Sequence, residues 1–183
     1  MIRITVGRSR HLLSATLTAA CLSVILSGCD QVRAKPSCQD YFGATDLTGY
    51  QLIDGGLALH LDSGTVWYRC PAGQRYRDGE CLGEALTLNF ADAAEYLTEL
   101  SEQSSYNWRL PSNEEFRSIT TQRCRNPAVN TNVFAQLPIE NYWLDDGKNT
   151  TPRRKCVAYS FQGRIACRES QDALHRFMLV ATP

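Results

Sequence analysis

Between positions 57 and 70 two short apolar blocks, "LALHLD" and "TVWYRC", flank Asp62-Ser63-Gly64. Branched and aromatic residues on either side of a turn triplet predict two strands joined tightly. The period lengthens in "NFADAAEYLTELSEQ", where Ala94, Leu97 and Leu100 recur at helical spacing behind Asn89, a residue suited to cap the first turn. Towards the C-terminus "CVAYSF", "RIACR" and "LHRFMLVA" are again short and strand-like, with "QG" and "ESQD" as turns. The pattern as a whole predicts an α+β domain, an antiparallel sheet with two helices packed against it.

The second helix starts inside "NWRLPSNEEFRSI", Asn107 to Ile119. Ser112 followed three residues later by Glu115 is a capping box, in which each side chain accepts from the other residue's backbone amide. Pro111 stiffens the chain just before the cap, and Glu114 and Glu115 sit where the helix dipole favours negative charge. Trp108 and Leu110, two apart in an extended stretch, face one wall of the core. Arg109 alternates to the other side, where it is expected to bridge to a carboxylate or to backbone carbonyls. The cluster therefore reads as a way of starting a helix rather than as a pair of catalytic glutamates.

The first 28 residues do not fit this domain. "MIRITVGRSRH" carries Arg3, Arg8 and Arg10 and no acid, and the apolar run after it ends in small residues and is short for a membrane span, as in an export signal. "LSGC", Leu26 to Cys29, resembles the lipobox of bacterial lipoproteins, in which the cysteine is acylated and becomes the mature N-terminus. Asp30 directly after it resembles the signal that retains lipoproteins in the inner membrane, facing the periplasm; the outer membrane or cell surface is the alternative. Residues 29–37, "CDQVRAKPS", read as a lipidated tether, and 38–183 as one domain. Removing the three leader arginines from 19 basic residues leaves 16 against 19 acidic ones, a net charge of about −3. General nucleic-acid binding is not expected of such a chain.

Eight cysteines become six once Cys21 leaves with the leader and Cys29 takes lipid: Cys38, Cys70, Cys81, Cys124, Cys156 and Cys167. An even number in an exported chain reads as three disulfides, with about 15 possible connectivities. Proximity favours Cys70 with Cys81 around the turn-rich "PAGQRYRDGE" and Cys156 with Cys167 across a hairpin, leaving Cys38 for Cys124. There is no CxxC, and beyond the leader only His60 and His175 are histidines, so no zinc site and no cofactor are expected.

"TVWYRCPAGQRYRDGECLGEAL", the helix from Asn89 or Phe90, "NWRLPSNEEFRSI", "CRNPAVNTNVFAQLP" and "NYWL" occur in an order that resembles the Lcl C-terminal domain family, from about Leu57 to the end of the chain. The resemblance implies a fold related to the C-type-lectin-like and formylglycine-generating-enzyme superfamily, stapled by disulfides. It also implies a binding or adhesion role, since the family's namesake adhesin is associated with sulfated glycosaminoglycans. "YWLDD" departs from the serine-rich segment more usual in the family. "RLPSNEEF" also resembles a motif of formylglycine-generating enzymes, whose copper is bound by two close cysteines. Here no glycine-rich "GGSW" segment exists, and Cys156 and Cys167 suit a disulfide better. GxSxG, HExxH and phosphate-binding glycine loops are absent, so no enzyme is expected.

Two candidate sites remain. "DDGKN", Asp145 to Asn149, offers three oxygen-bearing side chains where calcium takes six to eight ligands, and Lys148 opposes a cation; it reads as a solvated turn around Gly147. Arg153, Arg154 and Lys155 form a basic run, with Arg164, Arg168 and Arg176 on the strands that follow, in a chain that is otherwise acidic. That asymmetry suggests an anion-binding face, or else a solvated edge strand protected by its charges. If Cys156 pairs directly across from Cys167, Lys155 lies opposite Arg168, a like-charge pair that Glu169 or an external anion would relieve. The partners expected are a membrane, through the N-terminal lipid, and either a sulfated or other anionic glycan or an envelope protein.

Overall fold

The computed structural model describes residues 34–147 and 151–181. The leader, Cys29, Asp30, Lys148 and Asn149 lie outside the described residues. The elements in order are α1 (Cys38–Tyr41), β1 (Tyr50–Ile53), β2 (Leu57–His60), β3 (Val66–Tyr68), β4 (Arg75–Arg77) and β5 (Glu80–Leu82), then α2 (Phe90–Glu102) and α3 (Asn113–Ile119). β6 (Asn141–Leu144), β7 (Arg154–Tyr159), β8 (Arg164–Ser170) and β9 (Val180–Ala181) complete the chain.

The strands divide among three antiparallel sheets where one was expected: β1-β2-β3-β9, the hairpin β4-β5, and β6-β7-β8. β2 and β3 pair as the hydrophobic pattern predicts, Ala58 opposite Trp67. The turn between them closes when the His60 amide donates to the Thr65 carbonyl. β4-β5 folds from the stretch read only as a turn. It docks where Gly56 lies at φ +80°, and a Cβ there would stand 2.3 Å from Tyr76, so glycine is required on both counts.

Two hydrophobic cores meet at β6-β7. Tyr142, Leu144, Cys156 and Ala158 face a core shared with Trp67, Phe116 and Phe134, whereas Trp143 and Val157 face a second one built on Phe90, Leu97 and Phe177. Strand side chains alternate between faces, so a sheet buried on both sides needs the continuous apolar run "NYWL". The last segment does the same without forming a long strand. Phe177 and Leu179 enter the second core, Met178 and Val180 the first. The expected strand over "LHRFMLVA" is thus an extended rod, regular only at β9, because its neighbours belong to different elements.

α2 starts at Asn89, whose side chain accepts from the Asp92 amide. Its buried stripe is Phe90, Ala93 and Leu97, with Tyr96 and Leu100 half-buried. Ala94, expected on that stripe, is exposed: the apolar face is centred one residue earlier, at Ala93. A third, one-turn helix, α1, is capped by Ser37. The Arg125 amide donates to the Pro36 carbonyl and the Cys38 amide to the Arg125 carbonyl. Pro36 and Ser37, assigned above to the tether, are therefore docked on the domain.

Candidate functional site

The segment Trp108–Ile119 crosses from one core to the other. Trp108 and Leu110 pack in the second core, Phe116 and Ile119 in the first, so the backbone must turn sharply between them. The turn is held by the capping box, Ser112 Oγ accepting from the Glu115 amide at 3.1 Å and Glu115 Oε2 from the Ser112 amide at 2.8 Å. Arg109 closes the same carboxylate with two bonds, each 2.7 Å. Burial alone raises the Glu115 pKa, but the bonds from Arg109 and from the Ser112 amide outweigh it and hold the group below its ordinary value. The same bond to Glu115 raises Arg109. Thr65 Oγ1 donates to the other carboxylate oxygen at 3.3 Å, and Arg109 exchanges two backbone bonds with Val180. Every acceptor of Glu115 is engaged, which leaves nothing to abstract a proton from a substrate. This is a latch.

Cys38–Cys124, Cys70–Cys81 and Cys156–Cys167 are disulfides, the two pairs that proximity favours and the one left by elimination. Asn113, at the first position of α3, is buried and turns its amide nitrogen to both sulfurs of the last pair, 3.6 Å from Cys156 and 3.5 Å from Cys167. Cys156 and Cys167 therefore stand as a structural bridge, not as a pair of thiolates for copper.

The basic residues are arranged differently from expectation. Val157 pairs with Ala166 but Lys155 with Glu169, so β8 carries one extra residue at the bridge, a bulge. The bulge removes the like-charge pair: Lys155 faces Glu169 instead of Arg168, and its ammonium lies 4.2 Å from the centre of the Phe90 ring. Arg164 is opposite Tyr159 at the far end of the hairpin, roughly 13 Å along the strand from Arg168. Arg176 lies apart as well, half-buried beside Tyr142. What remains together is a ledge of Arg153, Arg154 and Arg168, all exposed. Arg154 spends one nitrogen on the Arg168 carbonyl at 2.5 Å, and no ion pair joins any of the three to an acid among the described residues. Arg153 and Arg154 border a half-open hollow of about 400 Å³ with Ser170, Gln171 and Asp172.

Sequence reasoning missed an aromatic groove of about 300 Å³ between α2, the β4-β5 hairpin and Trp108, whose further walls are Tyr68, Tyr96 and Leu100. Of these the sequence pattern points to Trp108 and Leu100, each as a core residue, and the signal available, apolar residues on the half-buried side of α2, is shared with any core helix. At the DDGKN turn, Asp145 Oδ1 accepts from the Gly147 amide at 3.3 Å. Among the described residues no group of three or more His, Cys, Asp or Glu side chains is placed to hold a metal ion. None of their helices is long and apolar enough to cross a membrane.

The chain belongs to the Lcl C-terminal domain family, whose description matches residues 56–181. No match is found among curated proteins or solved structures. The α+β, disulfide-stapled architecture fits the C-type-lectin-like fold of that family, and the domain is one of the Lcl type.

Proposed function

We propose that the chain is an exported lipoprotein of the bacterial envelope whose domain binds anionic glycans. In this reading residues 1–28 are removed, Cys29 is acylated, the residues after it tether the domain, and Asp30 keeps the protein on the inner membrane facing the periplasm. Acyl chains contribute roughly 0.8 kcal/mol per buried methylene, so two or more hold the protein on the bilayer without a spanning helix. Replacing Cys29 with Ser should release the protein or stall its processing, seen by fractionation and acyl labelling; continued acylation defeats the reading. Asp30→Ser should move the protein to the outer membrane, and unchanged sorting defeats that part alone.

The glycan reading is carried by one observation: Arg153 and Arg154 stand exposed at the edge of a hollow, Arg154 bonded to the backbone of the exposed Arg168, and none of the three is in an ion pair among the described residues. A guanidinium offers a planar fork of donors that matches sulfate and carboxylate, and Arg154 keeps free nitrogens after its bond to the Arg168 carbonyl. Asp172 at the same hollow and a net charge of about −3 beyond the leader oppose a polyanion. Screening beyond about 8 Å at physiological salt leaves the local arginines to decide. On a heparin column Arg153→Ala/Arg154→Ala should elute at clearly lower salt than wild type, with unchanged unfolding. Lys155 is best left in place, since its contact with Phe90 makes it part of the fold. Co-elution of the two proteins at low salt defeats the proposal and favours a protein partner in the envelope.

A further inference from the structure

The aromatic groove lies on a part of the molecule that the arginine ledge does not use. Its walls come from elements fixed independently of any ligand. The Cys70–Cys81 disulfide closes the loop that carries Gln74 and Arg75. The Tyr68 hydroxyl accepts from the Tyr76 amide at 2.8 Å and donates to the Gln74 carbonyl at 3.3 Å. Gln74 Nε2 donates to the Gly83 carbonyl at 2.9 Å. Across the groove the Trp108 ring meets Tyr68 edge-on at 6.4 Å, and its Nε1 donates to Ser104 Oγ at 3.1 Å. The hollow is thus preformed and of a size that takes a small organic molecule.

The polar atoms of these aromatic walls decide which molecule. The Tyr68 hydroxyl has both roles filled, and the indole N–H of Trp108, its only polar group, is engaged with Ser104. Neither is free to bond a hydroxyl-rich sugar; Gln74 Oε1, buried without a partner among the described residues, and the Tyr96 hydroxyl are the polar wall atoms left, too few to replace the water such a ligand would lose. The walls suit a flat apolar body. At the rim Arg75 is exposed, and its guanidinium has no acid in ion-pair contact among the described residues, unlike Arg77 two residues on, which reaches Asp78 at 3.4 Å. An apolar aromatic hollow with one unmatched cation at its edge complements a ring that carries one acidic group.

We propose that this groove is a second binding site, for a compact ring-bearing organic acid stacked among Tyr68, Tyr96 and Trp108 with its anion at Arg75. It is independent of the ledge and of any glycan bound there.

Anilinonaphthalene sulfonate, an apolar ring system with one sulfonate, serves as the fluorescent probe, with naphthoate and the uncharged naphthalenemethanol as competitors. Wild type should bind the probe saturably. Naphthoate should displace it at a concentration at least about fivefold lower than the alcohol needs, as for one charge contact at a wet rim. In Arg75→Gln, an exposed position whose change leaves the fold intact, that preference should vanish. Leu100→Trp, which fills the groove, should abolish probe binding with the circular dichroism unchanged. Arg153→Ala/Arg154→Ala should bind the probe as wild type does, so failure of the ledge is distinguished from failure of the groove. Absence of saturable binding, or a preference for naphthoate that survives Arg75→Gln, overturns the proposal.

Discussion

The latch and the ledge look alike in sequence, since each sets arginines beside aromatic or apolar residues and acids. In space they are opposites. Arg109 is held by two bonds to Glu115, which is itself capped, half-buried and joined to Thr65. Arg153, Arg154 and Arg168 have no acid in ion-pair contact among the described residues. The difference teaches that charge in this fold reports function only through its partners: a satisfied pair holds two cores in register, and an unsatisfied cluster on a concave surface is available to a ligand.

The largest effect that separates the regions is expected at Phe116, fully buried where the latch enters the first core. Phe116→Ala should cost about 3–5 kcal/mol, read from urea unfolding, because a ring-sized cavity opens among side chains that relax only in part. The matching change on the ledge, Arg153→Ala, should stay within about 0.5 kcal/mol. Comparable costs would erase the distinction. Next in size, Glu115→Gln should destabilise by roughly 1–3 kcal/mol, since Arg109 keeps its position and loses its counter-charge. Arg109→Ala should cost less in Glu115→Gln than in wild type if the two act as one unit.

The pH dependence of stability sharpens the same contrast. Because the folded protein holds the Glu115 pKa below its ordinary value, the contribution of the pair is complete above about pH 4.5 and is lost as pH falls through the folded value. Wild type should therefore lose stability more steeply than Glu115→Gln below that pH, while the ledge variant follows wild type throughout. Parallel acid profiles of wild type and Glu115→Gln would remove Glu115 from the account. Within the latch the smallest stability effect is at Ser112→Ala, about 1 kcal/mol for a lost cap, with heparin elution unchanged.

How far the sequence was legible follows the same physics. Capping boxes and short disulfide loops are local, so Ser112, Glu115, Cys70–Cys81 and Cys156–Cys167 follow from spacing alone. Cys38–Cys124 followed only by elimination, across a separation of 86 residues. Placing Arg109 on the side away from Leu110 predicted a carboxylate or backbone carbonyls as its partner without naming one, and it meets both, Glu115 and the Leu110 carbonyl. The division into three sheets was not legible, because strands of three or four residues carry too little periodicity to say which neighbour they pair with. The bulge opposite Cys156 was hidden for a related reason. A one-residue slip changes every cross-strand partner beyond it, and nothing in "RIACRES" marks where the slip falls. The groove stayed unseen because its walls come from four separate stretches.

The most direct test of the claim that partnered charges hold the fold while unpartnered ones bind is the salt dependence of heparin affinity, measured by titration. It compares wild type, Arg153→Ala/Arg154→Ala and Arg109→Ala under conditions where all three remain folded. A polyanion releases counterions in proportion to the cations that contact it, so the slope of log affinity against log salt should be shallower by about 1 to 2 in the ledge variant. In Arg109→Ala it should be unchanged. Equal slopes for wild type and the ledge variant, or a loss of slope with Arg109→Ala as large as that at the ledge, would contradict the account.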